Sequence, residues 1–263
     1  MNPAELDRRH YAIQGLVAEV SVMALDYFLR KESLGVTMKG DQDWLTVADG
    51  AVEAFLRERI AILFPDDTVI GEEGGGAASQ ATWIIDPIDG TANFARGDRN
   101  WCISVGLLVD RVPEIGIIAA PSLGETYLGR RGRGASLNGV PIRVSGGSDI
   151  RRASIEMGWS KRVPLDDYLA MVRRAFEAGG SVKRSASGAL GLCHVANGRT
   201  DAYAERHINA WDVAAGMVIA GEAGAVTNDF FAGEGIAKGN PILCVTPGLA
   251  DALERITGII SRR

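Results

Sequence analysis

The 263-residue chain carries 46% hydrophobic and 23% charged side chains, ordinary globular values that leave room for a substantial core. Its formal net charge of −5 offers no electrostatic footprint for nucleic acid. Cys102, Cys193 and Cys244 sit in apolar surroundings without pair spacing, which fits free thiols in a reducing cytosol and not a disulfide scaffold.

The opening segment, charged at Glu5, Asp7, Arg8 and Arg9, lacks the apolar stretch of a signal peptide. No apolar run approaches the length of a membrane span, so a soluble, cytoplasmic protein without a membrane partner is expected. Apolar residues at Ile13, Leu16, Val17, Val20, Met23, Ala24, Tyr27 and Phe28 predict a long amphipathic helix over 4–31. Asp49 opens a second helical pattern through Val52, Phe55, Leu56, Ile60 and Leu63, ended by Pro65. Strands are predicted over 68–70, 82–85, 102–109, 114–119, 125–128, 142–144 and 154–157. Helices follow over 165–178 and 188–197, then a strand over 201–204 and a helix over 211–223. Strands near 225–227 and 242–245 precede a closing helix over 249–260. Interleaved helices and strands make this an α/β or α+β protein with neither an internal repeat nor a disordered linker. Gly146-Gly147-Ser148 is the best seam, dividing one unit over 1–263 into possible sub-halves 1–146 and 149–263.

The most informative stretch runs Trp83-Ile84-Ile85-Asp86-Pro87-Ile88-Asp89-Gly90-Thr91-Ala92-Asn93-Phe94. A buried strand ends at Ile85, Pro87 biases Asp86 toward extended backbone, and Asp89-Gly90 supplies a turn. Two carboxylates therefore converge beside a Gly90-Thr91 pair whose backbone N–H groups can face an anion. Carboxylates and phosphate repel unless cations lie between them, and oxygen-only ligands suit Mg²⁺. Metal-assisted phosphoryl chemistry is the sharper reading; a tight turn with two solvated aspartates is the plainer one.

Further acids repeat the theme. Glu72-Glu73 follows the strand at 68–70 and precedes Gly74-Gly75-Gly76. Glu72 could join Asp86 around one cation, or the pair is an exposed acidic loop. Asp49 either caps a helix, as Thr46 could, or accepts a hydrogen bond from a hydroxyl that polarises water. Asp212 opens an apolar helix, where an acid favours the dipole whatever its function. Glu205 either reaches a polar substrate or marks a strand end. His194 falls on a helical pattern and reads as structural, while His207 is placed in a loop beside Glu205.

Jointly, Gly71-Glu72-Glu73, Asp86-Pro87-Ile88-Asp89-Gly90-Thr91 with Asn93-Phe94, and Trp211-Asp212-Val213-Ala214-Ala215-Gly216 resemble the inositol monophosphatase family. These are lithium-sensitive, Mg²⁺-dependent phosphatases sharing the fructose-1,6-bisphosphatase fold. The resemblance covers nearly the whole chain in motif order, spacing and length.

That resemblance implies a layered αβαβα sandwich and a homodimer. It implies a first Mg²⁺ on Glu72, Asp86 and the Ile88 carbonyl, a second on Asp86, Asp89 and Asp212, and a third, weaker ion at Glu72. Glu73 would stand behind these ligands. Thr91, with Asp49 and Glu72, would activate the attacking water, and the Gly90 and Thr91 N–H groups would bind phosphate. Glu205 would bond substrate hydroxyls, Ser187, Gly188 and Ala189 would approach the ring, and Lys39 would lie in a mobile loop. Ser187 takes a place often held by glycine, and 206–210 borders a pocket that varies among relatives. Glu205 and Trp211-Asp212 favour inositol monophosphate or a small polyol or sugar phosphate as substrate. The alternatives are histidinol phosphate, fructose-1,6-bisphosphate, adenosine 3′,5′-bisphosphate, or a regulatory binding role on the same fold.

Overall fold

The protein is described by a computed structural model covering residues 1–30 and 47–262 in full, and 36–40 and 43–46 as backbone. Helix α1 (Pro3–Leu29) starts where the Asn2 side chain accepts the Glu5 N–H at 2.9 Å and the Glu5 carboxylate accepts the Asn2 N–H at 3.0 Å. Ile13, Leu16, Val17, Val20, Ala24 and Phe28 form its buried row. Contrary to expectation, this helix is long and apolar enough to cross a membrane by length and composition. A third of its apolar window is buried, and core helices pass the same test.

A hairpin that the sequence reading missed, β1 (Val36–Gly40) with β2 (Asp43–Thr46), leads into helix α2 (Val47–Leu63). Strands β3 (Thr68–Gly71) and β4 (Ala81–Asp89) follow, then the short helix α3 (Thr91–Arg96). Next come β5 (Cys102–Val109), β6 (Val112–Ala120), β7 (Glu125–Arg130), β8 (Gly134–Leu137) and β9 (Val140–Pro141). From β3 to β9 the strands lie side by side in chain order as one sheet, antiparallel except for β3 with β4. The strand predicted at 142–144 does not form. Ile142 and Val144 each donate one backbone bond, to Ala135 and Ala223 respectively, and two different partners make no ladder.

The rest of the chain builds the second sheet. Strand β10 (Ser154–Met157), helix α4 (Leu165–Glu177), β11 (Ser181–Lys183) and helix α5 (Gly188–Ala196) come first. Strand β12 (Ala202–Ile208), helix α6 (Ala210–Glu222), β13 (Val226–Thr227) and helix α7 (Gly235–Lys238) follow, then β14 (Asn240–Val245) and helix α8 (Ala250–Thr257). The strand order is β11-β10-β12-β14-β13. Helices α1 and α2 cover the outer face of the first sheet, α5 and α6 lie between the sheets, and α4 and α8 cover the second. This is the expected αβαβα layering. Every residue of β4 is buried, with Trp83 and Ile85 toward α1 and α2 and Ile84 toward the middle helices.

A row of glycines seats α6. Gly106, Gly116 and Gly129 are direct cross-strand neighbours on β5, β6 and β7. A Cβ at Gly116 would fall 2.2 Å from the Ala215 carbonyl oxygen, and one at Gly129 would fall 2.7 Å from the Ile219 Cα. The helix therefore rests on bare backbone, at a depth no side chain can adjust. Gly116→Ala is expected to cost about 3 kcal/mol by overpacking. Urea unfolding reads this out, and an unshifted midpoint would refute the seat.

Candidate metal centre

Strand β4 runs through the motif rather than ending before it. Asp86 pairs with Ser104 and Asp89 with Cys102, so three steps on β4 match two on β5. That is a bulge, and it contains Pro87 and Ile88. Residues three apart on a regular strand face opposite sides, and one extra residue brings Asp89 back to the side of Asp86. Pro87 is tolerated because a bulge leaves a ladder position unused. The predicted strand end at Ile85 is corrected accordingly.

Helix α6 brings in Asp212, whose carboxylate accepts the Asn209 N–H at 3.0 Å. Carboxylate oxygens of Asp86, Asp89 and Asp212 all lie within 4.8 Å of one another. Burial raises the Asp86 carboxyl well above the usual range, and the charges of Glu72, Asp89, Asp212 and Asp49 push the same way. Asp212 is raised by burial and then by Asp89, Glu72 and Glu205. Among the described residues no basic side chain pairs with these three acids. Such a set is stable either protonated or around a cation, and its all-oxygen donors fit a hard divalent one.

The neighbours fall into place around it. The Asp86 Oδ1 accepts the Ile88 N–H at 3.0 Å. The Thr91 Oγ1 lies 3.0 Å from the Ile88 carbonyl oxygen and 3.2 Å from Asp49 Oδ1. Asp49 is fully buried and is the third residue of α2, so it does not cap the helix. Glu72, half-buried after β3, is close enough to act on Asp86 and Asp212. Gly90 is left-handed at φ 92, and a Cβ there would fall 2.9 Å from the Asn100 carbonyl oxygen. The structure thus gathers Asp49, Glu72, Asp86, Ile88, Asp89, Gly90, Thr91 and Asp212.

Ser187, Gly188 and Ala189 present their donors to Asp89. Its Oδ2 accepts the Ser187 hydroxyl at 2.5 Å and the Ala189 N–H at 2.8 Å, and its Oδ1 accepts the Gly188 N–H at 3.3 Å. Burial raises Asp89, and these bonds pull it back. Ser187 is itself extended at φ −141; the left-handed residue is its neighbour Ala186 at φ 61. The Ser187 hydroxyl, expected to approach the ring, is buried and donates to Asp89.

Glu205 lies inside β12, opposite Ile242, because the strand continues to Ile208 and takes His207 with it. The Tyr203 hydroxyl donates to Glu205 Oε2 at 2.8 Å. Burial pushes the Glu205 carboxyl up to about 7, against the pull of Tyr203 and Arg184. The Lys39 side chain lies outside the described residues.

The sequence reading missed several supports. Glu53 accepts the N–H groups of Glu73 and Gly74. Asn93 donates to the carbonyls of Asn100 and Ser185 at 2.7 and 2.8 Å. Glu156 accepts the Ser185 N–H at 3.1 Å and lies 3.8 Å from His194, a structural neighbour as expected. The available signal was a polar residue at buried-face spacing: Asp49, Glu53 and Arg57 step by four beside Val52, Leu56 and Ile60.

Known proteins match this chain in sequence and in fold. The model of the inositol monophosphatase family matches residues 5–260. The Nus factor SuhB of Haemophilus influenzae is 36% identical over 242 residues, 90% of each chain. The inositol-1-monophosphatase of Mycobacterium leprae is 37% identical over 231 residues, 80% of this chain and 77% of the relative. Among solved structures, the extragenic suppressor protein suhB of Bartonella henselae superposes with a TM-score of 0.87 at 27% identity, covering 94% of this chain and 97% of that one. With its buried carboxylates in motif order on a matching fold, the chain belongs to the inositol monophosphatase family and is an enzyme of that metal-dependent phosphatase group.

Proposed function

We propose that this protein is a Mg²⁺-dependent phosphomonoesterase acting on inositol monophosphate or a related small polyol phosphate. The observation that carries the reading is the cluster of buried Asp86 and Asp89 with half-buried Asp212, beside the Asp49–Thr91 pair. Asp86, Asp89, Asp212, Glu72 and the Ile88 carbonyl would hold two ions, with a third, weaker one at Glu72. Bound there, Mg²⁺ supplies a lowered pKa for water and neutralises charge on the phosphate and the leaving oxygen.

The chain's own groups orient the reactants. With its proton directed to Asp49, the Thr91 hydroxyl presents a lone pair that accepts from the attacking water, and Asp49 draws that proton onward. The Ile88 carbonyl keeps a second lone pair beside the one facing Thr91. The Gly90 and Thr91 N–H groups would receive phosphate oxygens. Glu205, braced by Tyr203, would accept from substrate hydroxyls, and Lys39 would approach from the segment before α2.

Phosphate release measured across inositol 1-phosphate, glycerol 2-phosphate, histidinol phosphate, fructose-1,6-bisphosphate and adenosine 3′,5′-bisphosphate tests the reading. Preference for inositol 1-phosphate that chelator abolishes is expected; preference for another ester would replace the substrate. Lithium is expected to inhibit by competing for a metal position. Above about pH 7, where the Glu205 carboxyl is ionised, Glu205→Gln is expected to lower the specificity constant for inositol 1-phosphate by about tenfold, the loss of one charged hydrogen bond, with little effect on an aryl phosphate. Equal losses on both would remove Glu205 from the pocket.

The protein is further proposed to act as a cytoplasmic homodimer, which light scattering and fractionation test. A regulatory role beside catalysis is a second reading, favoured by the name Nus factor carried by the Haemophilus relative. Rescue of a cellular phenotype by an Asp89→Asn protein would support it.

A further inference from the structure

The five residues from Gly71 to Gly75 form a closed turn around one buried carboxylate that is no part of the acidic cluster. Gly71 and Gly75 exchange both backbone hydrogen bonds, at 3.0 and 3.1 Å. Inside the turn lies Glu53 of α2, only 3% exposed. Its Oε2 accepts the Glu73 N–H at 2.9 Å and its Oε1 accepts the Gly74 N–H at 2.6 Å. Arg57, one helical turn on, donates from Nε to Glu53 Oε1 at 2.7 Å. The same guanidinium donates to the Val69 carbonyl at 3.2 Å and the Gly75 carbonyl at 2.5 Å, on either side of the turn. The glycines leave room for the carboxylate, since a Cβ at Gly71 or Gly74 would fall 2.6 Å from Glu53.

A buried carboxylate with this set of donors has little capacity left for a cation. What it fixes is backbone. Glu72 stands between a residue closed by the Gly71–Gly75 exchange and one whose N–H is held by Glu53, so both of its flanks are pinned. We propose that Glu53, oriented by Arg57, is a positioning residue that aims Glu72 at the metal centre; this rests on the role proposed above for Glu72. Supports of this kind behind a ligand change metal affinity by about 10- to 100-fold.

The test is calorimetric Mg²⁺ binding to purified wild type, Glu53→Gln, Glu72→Gln and the double variant, with thermal melts in chelator and kinetics at saturating Mg²⁺. Glu53→Gln turns an amide nitrogen toward one of the N–H donors. It is expected to weaken Mg²⁺ binding about tenfold while the KM for the ester at saturating Mg²⁺ stays within about twofold, and to add nothing in the Glu72→Gln background. Unchanged Mg²⁺ affinity in Glu53→Gln, or a loss that persists in full without Glu72, overturns the proposal. Glu72→Gln binding Mg²⁺ like wild type would instead remove the role of Glu72 itself, and the proposal with it. Should Glu53→Gln not fold, Gly74→Ala on the exposed turn and Arg57→Lys carry the test under the same criteria. Both are expected to weaken Mg²⁺ binding, and wild-type affinity in both overturns the proposal.

Discussion

Asparagine in place of Asp89 is expected to lower turnover by at least about a thousandfold, the loss of roughly 4 kcal/mol of transition-state stabilisation. The carboxylate accepts from Ser187, Gly188 and Ala189 and still shares the cluster with Asp86 and Asp212. Its two oxygens therefore tie α5 to the metal centre. An amide keeps the shape but offers only one oxygen, so one donor from the start of α5 faces an N–H₂ group. Against that loss stands the relief of one like charge among three clustered acids, so the melting temperature in chelator is expected to change little. The stabilisation that Mg²⁺ gives the wild type is expected to disappear, because it reports binding to the folded state. Scanning calorimetry with and without Mg²⁺, beside phosphate release, separates these effects. Turnover within tenfold of wild type would remove Asp89 from the metal site.

A second large effect is expected from pH. In chelator the protein should lose stability as pH rises from about 5 to about 8, opposite to the usual behaviour of a protein with paired carboxylates. The folded Glu205 carboxyl holds its proton up to about 7, whereas its ordinary value is 4.5. Between those values the folded state binds more protons than the unfolded one, so stability falls with rising pH. This group alone amounts to about 3 kcal/mol across the window. Asp86 and Asp212, also raised, act in the same direction. Glu125 and Glu156 are held below the usual range, burial being outweighed by Arg199 and Tyr127 in one and by His194 and Ser185 in the other. Their contribution is complete above that range and does not oppose the slope; His10, whose imidazole burial lowers from its ordinary 6.5, opposes it in part of the window. Saturating Mg²⁺ should widen its stabilising effect as pH rises, because its ligands must be deprotonated. Urea midpoints across the range, with Glu205→Gln flattening the chelator slope, check the account. A rising slope in chelator would contradict it.

The layered fold and the acidic centre were legible because their signals are local or carried by motif order. The buried row of α1, the apolar β4 and the helix opening at Asp212 read directly from spacing. What escaped depends on partners distant in sequence. The apolar run suggests a strand that ends at Ile85, and only pairing with Ser104 and Cys102 shows that the strand continues through a bulge at Pro87. Ser187 looked ring-facing because nothing local shows that Asp89 collects its hydroxyl from 98 positions away. Asp49 looked like a cap because the predicted helix began at it and the true one begins at Val47. Glu53 was passed over for a similar reason: a glutamate on a helix usually meets solvent, and its N–H partners lie 20 and 21 residues on.

The glycine seat under α6 bears on which ion the centre accepts. Backbone against backbone has no rotamer to turn, so the span from Asp212 to Asp86 and Asp89 behaves as a stiff gauge. Mg²⁺ demands oxygens at roughly 2.0–2.1 Å, while Ca²⁺ takes more ligands at about 2.3–2.6 Å. A larger ion could not lift the helix from the sheet without opening packed core, so under the role proposed for Glu72 the accommodation would fall to its turn, held by the partly exposed Arg57. On that proposal the centre would be a calliper with one fixed jaw and one sprung jaw, and its tolerance for ion size would reside in the second.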